Sequence, residues 1–366
     1  MKKIVVLLPY ANPHVLGWIK ELFNVNVELK IYCIRSVKHY RTGYFSKVDE
    51  YEYVYYLFKN KNLYSQFLKD LKNTNIYVTL GIFEKVFLRS LLKFDGKLYI
   101  LSEPFNPISS KKNVLFRKLI SFYIRVTIKN INFLCIGGKD VKKYYYSLGF
   151  KKSQYYNFGY FPKNKALKIV TNSSTIKFIF VGQLIKRKGV SVLINALNYL
   201  NSIYKNDSWT FTIIGNGNLK EYLLGELKMI NNKNIIFKGL INDNSKLEEY
   251  YSDSDILFVP SVFDGWGAVV NEALSKNLAI LSSDMVYSSR SLVKQGVNGF
   301  VFNNNNLKEM TNYIDYFFIN KHKVLDFKKS SGIIYKEWNP NNAAQSFLKL
   351  IEVRKNDNNE RLLMRL

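Results

Sequence analysis

The chain is short of the residues that staple or metallate small proteins. Only two of its 366 residues are cysteine, Cys33 and Cys135, and only three are histidine, His14, His39 and His322. Two cysteines exclude a disulfide framework and a Cys-rich zinc module. Three scattered histidines argue against a metal site built from imidazoles. Acidic side chains are scarce too: 28 Asp and Glu stand against 54 Lys and Arg, a formal charge of +26. No stretch reaches the roughly 18 apolar residues of a membrane span, and no segment repeats at a solenoid period. Lys2 and Lys3 ahead of the apolar run 4–8 imitate a secretory signal, but the run stops at Pro9 and no small-residue cleavage site follows. It reads as a buried first strand, and the protein is expected in the cytoplasm, soluble or peripheral at the inner face of the cytoplasmic membrane.

What is present is a chain able to fold. Hydrophobic residues make up 47% and aromatics 16%, which argues against disorder, and the length suits two domains. The positive excess is compatible with nucleic acid, an anionic membrane surface or an acidic substrate. It is also compatible with compositional drift, because Asn, Lys, Ile, Tyr and Phe are all plentiful.

The first part alternates strand-like runs at 3–8, 27–35, 52–56, 76–80, 97–101 and 132–136 with helical patterns such as 16–23 and 63–71. The segment 159–165 combines Gly, Pro and polar residues and reads as the start of a linker over 161–175. A second alternation places strands at 177–182, 210–215, 234–238, 256–260 and 278–282. Its helices fall at 190–201, 219–230, 247–252 and 268–275, with a helical tail at 343–353. Strands alternating with helices imply parallel sheets covered on both faces. The expected fold is α/β: two doubly wound Rossmann-like domains, 1–160 and 176–342, binding ligands at the carboxyl ends of their strands.

Two loops carry chemistry. In Phe180-Val-Gly-Gln-Leu-Ile-Lys-Arg-Lys-Gly189 a strand runs into Gly182, a polar loop follows, and a helix begins near Gly189. A glycine lets backbone approach a ligand, a helix N-terminus offers N–H groups to an anion, and Lys186, Arg187 and Lys188 add charge. This suits a diphosphate, although a solvated basic loop has the same composition. In Pro260-Ser-Val-Phe-Asp-Gly-Trp-Gly-Ala268 a strand end turns through Gly265, Trp266 and Gly267 into a helix, with Asp264 before the turn and Glu272 within the helix. Backbone amides at 265–268 suit phosphate oxygens, and two carboxylates suit sugar hydroxyls. Trp266 reads equally as a packing residue, and the two acids as ordinary helix-end and exposed acids. Asp253 and Asp255 precede a buried strand and look structural.

These loops, the turn Gly215-Asn-Gly-Asn-Leu219, the stretch 251–255 before Pro260, and Gly296-Val-Asn-Gly-Phe300 stand in one order and spacing. In this the chain resembles the retaining glycosyltransferases of family 4 over roughly 175–302. The resemblance implies the GT-B fold, two domains facing a cleft, with 343–366 returning to the N-terminal, acceptor-side domain. It implies a nucleotide-diphosphate sugar as donor and no cofactor; no convincing Asp-x-Asp site speaks for a divalent metal. Lys188 stands at the family's lysine position and would bind the donor diphosphate. Gln183 stands where many members carry arginine, so Arg187 would compensate. Asp264 replaces the first glutamate of the family's pair, one methylene shorter. Glu272 matches the second glutamate and would bind the ribose. Gly182, Gly215, Gly265, Trp266 and Gly267 would complete the donor site.

The N-terminal half matches less well. The family's Gly-Gly loop after the first strand is absent, replaced by Pro9-Tyr-Ala-Asn-Pro-His-Val-Leu-Gly17. Ser102-Glu103-Pro104 follows the strand 97–101, where relatives place a His or a Ser-Glu pair, so Glu103 is the candidate catalytic group there, with Lys188 and Asp264 on the donor side. A Glu satisfied by a loop amide would look the same. His14 is a further acceptor-side candidate, or an ordinary loop residue.

The charge is not evenly spread. Residues 1–160 hold 27 Lys and Arg against 10 Asp and Glu. In 111–129, Leu115, Leu119, Phe122 and Val126 share a helical face, with Lys111, Lys112, Arg117, Lys118, Arg125 and Lys129 around it. This reads either as a basic amphipathic helix for an anionic bilayer or as a core helix with a solvated basic face. With the first reading, the acceptor is expected to be a glycan, lipid-linked, in bacterial cell-envelope polysaccharide assembly. The alternatives are a sugar-nucleotide epimerase of the same architecture, a non-catalytic relative, and a basic nucleic-acid-binding protein. The last lacks any helix-turn-helix, zinc finger or aromatic-basic pattern, so no nucleic acid partner is expected.

Overall fold

A computed structural model describes residues 2–36, 51–104, 114–161, 175–205 and 207–352. His39, Phe105, Lys111, Lys112, most of the expected linker and the tail beyond 352 lie outside the described residues. The chain divides into two units, residues 1–163 with 338–366, and residues 164–337.

Unit 1 is built on seven parallel strands: β1 (Lys2–Leu8), β2 (Val27–Cys33), β3 (Val54–Tyr56), β4 (Ile76–Leu80), β5 (Lys97–Ser102), β6 (Asn130–Ile136) and β7 (Gln154–Phe158). Their order is β3-β2-β1-β4-β5-β6-β7. Ile4 to Leu8 of β1 are buried throughout, which is why the run is apolar without alternation: a central parallel strand has no solvent face. The helices are α1 (Pro13–Glu21), α2 (Asn62–Lys72), α3 (Lys85–Ser90), α4 (Val114–Thr127) and α5 (Lys139–Ser147). Helix α1 starts earlier than hydrophobic periodicity alone predicts. Asn12 caps it, its side chain accepting from the His14 N–H at 3.0 Å, and Pro13 follows, where its missing N–H costs no intrahelical bond.

The C-terminal helix Pro340–Glu352 packs on α1 within the same unit, Phe347 lying edge-on to Trp18 at 5.2 Å. The return begins at Trp338, whose ring stacks on Phe161 at 4.8 Å and whose indole N–H donates to the Tyr160 carbonyl at 3.0 Å. Tyr160 and Phe161 are buried, so the first residues of the expected linker belong to the core.

Unit 2 repeats the plan with β8 (Ile176–Val181), β9 (Trp209–Ile214), β10 (Ile235–Gly239), β11 (Ile256–Val259), β12 (Ala279–Ser283) and β13 (Gly299–Phe302). The order is β10-β9-β8-β11-β12-β13, parallel throughout. Helices α6 (Val190–Ile203), α7 (Lys220–Ile230), α8 (Asn244–Ser252), α9 (Ala268–Ser275), α10 (Tyr287–Leu292), α11 (Leu307–Ile319) and α12 (Val324–Glu337) cover it. Asp255 ties three of these elements together. Its carboxylate accepts from the Lys177 N–H at 3.1 Å and from Lys328 Nζ at 2.7 Å, while Asp253 pairs with Lys177 Nζ at 2.6 Å.

In this strand order the winding reverses between β8 and β11, and the helices that follow those two strands, α6 and α9, pack on different faces of the sheet. That is where a doubly wound sheet opens a binding crevice. The loops leaving the two strands are 182–189 and 260–267.

Candidate active site

Loop 182–189 continues the β8 ladder for one step, the Gly182 N–H donating to the Ile214 carbonyl at 3.0 Å, and Gly215 lies against Gly182 at the end of β9. The loop then tightens into a 3-10 turn, Lys186–Lys188, and passes through Gly189 into α6. Gly189 has φ +73°, and a Cβ there would lie 1.8 Å from the Pro260 carbonyl oxygen. Only glycine lets the two loops meet this closely. The Arg187 carbonyl accepts from the Val262 N–H at 2.9 Å, which sets the second loop beside the first.

Across that junction the charges are arranged around Asp264. Its carboxylate accepts from Lys188 Nζ through Oδ2, and Arg187 Nη1 stands 3.5 Å from Oδ1. Asp264 is 7% exposed. Two cations therefore share one shielded carboxylate and leave a positive charge in excess. Gln183 lies half-buried on the same loop.

The second loop ends at Gly267, which caps α9 with φ +87°; a Cβ there would lie 2.5 Å from Val286 Cγ1. No side chain caps α9, and none caps α6. Two helices that start at the switch point thus direct amides lacking side-chain caps past the same basic pair. This is a donor set suited to an anion with several oxygens.

Glu272, one turn into α9, is half-buried and accepts from the Tyr251 hydroxyl at 2.9 Å. Burial pushes its carboxyl above the usual range, opposed by the Tyr251 hydrogen bond and the charges of Lys188 and Lys276. Lys276, itself buried, pairs with Glu248 at 3.2 Å. Trp266 turns inward: its indole is 2% exposed and donates to Asn271 Oδ1 at 2.7 Å. The ring is a packing element, and only the backbone of 265–267 is left to face a ligand.

In unit 1 the acceptor-side candidates also come together. Glu103, exposed just beyond β5, accepts from the Tyr160 hydroxyl, and the His14 ring lies 5.7 Å from the Tyr160 ring. His14 occupies the first turn of α1 rather than a loop, and its carbonyl accepts from the Phe161 N–H at 3.3 Å. Burial lowers the imidazole to about 4, so it is neutral at physiological pH. Tyr160 was not legible as a site residue, because its only sequence signal is a place in a Gly-Pro segment. Tyr251 and Lys276 were missed for a similar reason: an aromatic and a lysine on helices read as packing and surface.

Among the described residues no three His, Cys, Asp or Glu side chains cluster in a way that would hold a metal ion. No helix of the described residues is long and apolar enough to cross a membrane.

Residues 163–332 match the model of the family described as Glycosyl transferases group 1. The matched stretch takes in nearly all of unit 2, a little under half of the chain. The chain is 28% identical over 177 residues to an uncharacterised glycosyltransferase of Haemophilus influenzae, covering 48% of this chain and 48% of that one. It is 25% identical over 140 residues to a 41.2 kDa protein in the cps region of Klebsiella pneumoniae, covering 38% of this chain and 36% of that one. The chain therefore spans about half, or less, of the length of these relatives. Among solved structures, TarM of Staphylococcus aureus in complex with UDP and an α-GlcNAc-glycerol has a TM-score of 0.69 at 12% identity, covering 96% of this chain and all of that one. At that identity the likeness shows the fold, which is that of the GT-B glycosyltransferases: two Rossmann-like units, each with its own parallel sheet.

Proposed function

We propose that the chain is a glycosyltransferase that moves a sugar from a nucleotide-diphosphate sugar to a hydroxyl of a glycan acceptor. The observation that carries this reading is the convergence of Lys188 and Arg187 on Asp264 between two helix N-termini that lack side-chain caps. A departing nucleoside diphosphate gains negative charge as the glycosidic bond breaks, and preorganised cations and amides lower the barrier by meeting that charge where it develops. Lys188 is the principal phosphate ligand, with Arg187 supplying the charge that Gln183 lacks. Asp264 holds both cations in place and faces the donor sugar, and Glu272, oriented by Tyr251, accepts from the ribose hydroxyls. The phosphate charge is met by the protein itself, without a divalent metal. Transfer proceeds with retention, as the family 4 resemblance implies.

On the acceptor side, Glu103 is the carboxylate that meets the incoming hydroxyl or the positive charge on the sugar, with His14 and Tyr160 beside it. The likeness to a protein encoded in a capsule region supports a cell-envelope polysaccharide as the product, with a lipid-linked glycan as acceptor. Such an enzyme works at the inner face of the cytoplasmic membrane.

A donor-hydrolysis screen across UDP-, GDP-, ADP- and dTDP-sugars tests the reading without knowing the acceptor. Release of a nucleoside diphosphate from at least one of them, lost in Lys188→Ala, is the expected result. Conversion of a donor to its epimer, with no transfer to any acceptor, makes the chain an epimerase instead. Inertness to every donor removes both.

A further inference from the structure

Helix α4 is apolar on two opposed faces, and only one of them is in the core. Ile120 and Ile124 are buried in the core of unit 1. With 3.6 residues per turn, Leu115, Leu119, Phe122 and Val126 fall on one stripe on the far side of the helix. They are 72%, 60%, 59% and 64% exposed. Val114 and Phe116 in the first turn are exposed as well. Single exposed leucines are ordinary on protein surfaces, whereas a continuous stripe marks an interaction site. The helix packs in the core, but not by the face that the sequence pattern names: that one points to solvent, and a second, narrower one packs.

The surroundings of the stripe are positive. Lys118 and Arg125 are exposed along one flank, Lys129 is exposed just beyond the helix, and α4 contains no acid. The Arg125 guanidinium lies over the Phe122 ring at 5.8 Å. Arg117 is different: it is drawn inward, donating to the Tyr144 hydroxyl at 3.1 Å. The 3-10 turn Leu91–Lys93 packs on α4 and adds exposed Leu92 and Lys93. A second copy of the chain would set this positive flank against itself, which like-charge repulsion opposes. An anionic surface with an apolar interior satisfies both the stripe and its flank.

We propose that α4 is a docking surface for an anionic lipid bilayer, with Leu115, Leu119, Phe122 and Val126 inserted at the acyl boundary and Lys118, Arg125 and Lys129 at the lipid phosphates. The proposal rests on the glycosyltransfer reading only for its purpose, bringing the enzyme to a lipid-linked acceptor. The binding itself is measured without catalysis.

The test is co-sedimentation of the full chain with phosphatidylcholine vesicles, with and without phosphatidylglycerol, and with donor hydrolysis measured on the same proteins. Expected are binding to the anionic vesicles that weakens with salt, and its loss by at least tenfold in Leu115→Gln/Leu119→Gln/Phe122→Gln. Lys118→Gln/Arg125→Gln weakens it by roughly 10–30-fold, at about fivefold for each basic residue lost. All five side chains are at the surface, and circular dichroism checks the fold. Wild-type protein that binds neither vesicle, or both equally, overturns the proposal. So does a triple variant that binds like wild type, or a concentration-dependent dimer that the triple variant abolishes while vesicle binding persists. Vesicle binding by a wild-type chain that hydrolyses no donor leaves the docking surface standing and removes the proposed function.

Discussion

Lys188 and Asp264, 76 residues apart in sequence, form an ion pair with side chains only 14% and 10% exposed. They come from the loops that leave β8 and β11, the neighbouring strands between which the sheet order reverses. A shielded pair of this kind is held for its geometry, because desolvation offsets much of its Coulombic gain, and breaking it strands a charge. The pair fixes a cation at the place where a diphosphate would sit, and several of the expectations below follow from it.

Asp264→Ala should lower kcat/KM for donor hydrolysis by about 10²–10³-fold and destabilise the protein by about 1–3 kcal/mol, since two cations lose their shared acceptor. Asp264→Glu restores the acid of the resembled family and should keep activity within about tenfold of wild type. Nucleotide release and chemical denaturation measure the two effects.

Glu272→Gln should weaken donor binding yet stabilise the apoprotein at neutral pH. The folded state raises the Glu272 carboxyl, so it binds that proton more tightly than the unfolded chain does. Stability therefore falls as pH rises through the interval between the two values. The variant lacks this loss. The difference in Tm, variant minus wild type, should grow with pH across the upper carboxylate range and then level off.

His14 works in the opposite direction. Its folded value of about 4 lies below the ordinary 6.5, so the unfolded chain binds the proton first and stability drains away as pH falls from 6.5 to 4. His14→Gln should remove up to about 3 kcal/mol of that acid-side loss. Urea denaturation at a series of pH values gives the slope directly.

Gly189→Ala should cost at least about 2 kcal/mol, because φ is positive there and the new methyl would meet the Pro260 carbonyl. It should also separate the two loops and weaken donor binding, which calorimetry on the folded fraction reads.

EDTA should leave donor hydrolysis within about twofold of the untreated rate, since Lys188, Arg187 and the helix ends meet the phosphate charge. A rate restored only by added Mg²⁺ or Mn²⁺ would contradict the metal-free reading.

Strands β8 to β12 and the loops after β8 and β11 are legible in the sequence because parallel strands form apolar blocks and the glycines punctuate them, whereas the four residues of β13 at the sheet edge are hidden behind the turn at 296–300. Strand β7 is not: it lies at the sheet edge, Tyr155 and Tyr156 are only half-buried, and no apolar run marks it. Helices α10, α11 and α12 also escape, α11 because aromatics such as Tyr313, Tyr316 and Phe317 resemble strand composition. Trp266 reads equally as ligand contact or packing until its bond to Asn271 is seen. In α4 the period is right, but the sequence pattern does not say which face packs: Ile120 and Ile124 oppose the wider stripe through Leu115, Leu119, Phe122 and Val126, and only packing decides between them. Glu103 and Tyr160 meet only because β5 and β7 end at the same edge of one sheet, a relation 57 residues wide that no local pattern holds.

The most direct measurement is isothermal titration of UDP, GDP, ADP and dTDP into wild type and Lys188→Gln. Wild type should bind at least one nucleoside diphosphate, and the variant should bind it roughly 10–150-fold more weakly, at about 1.5–3 kcal/mol for a hydrogen bond to a charged group. Wild type that binds none of them, or a variant that binds as tightly as wild type, would contradict a donor diphosphate site at Lys188.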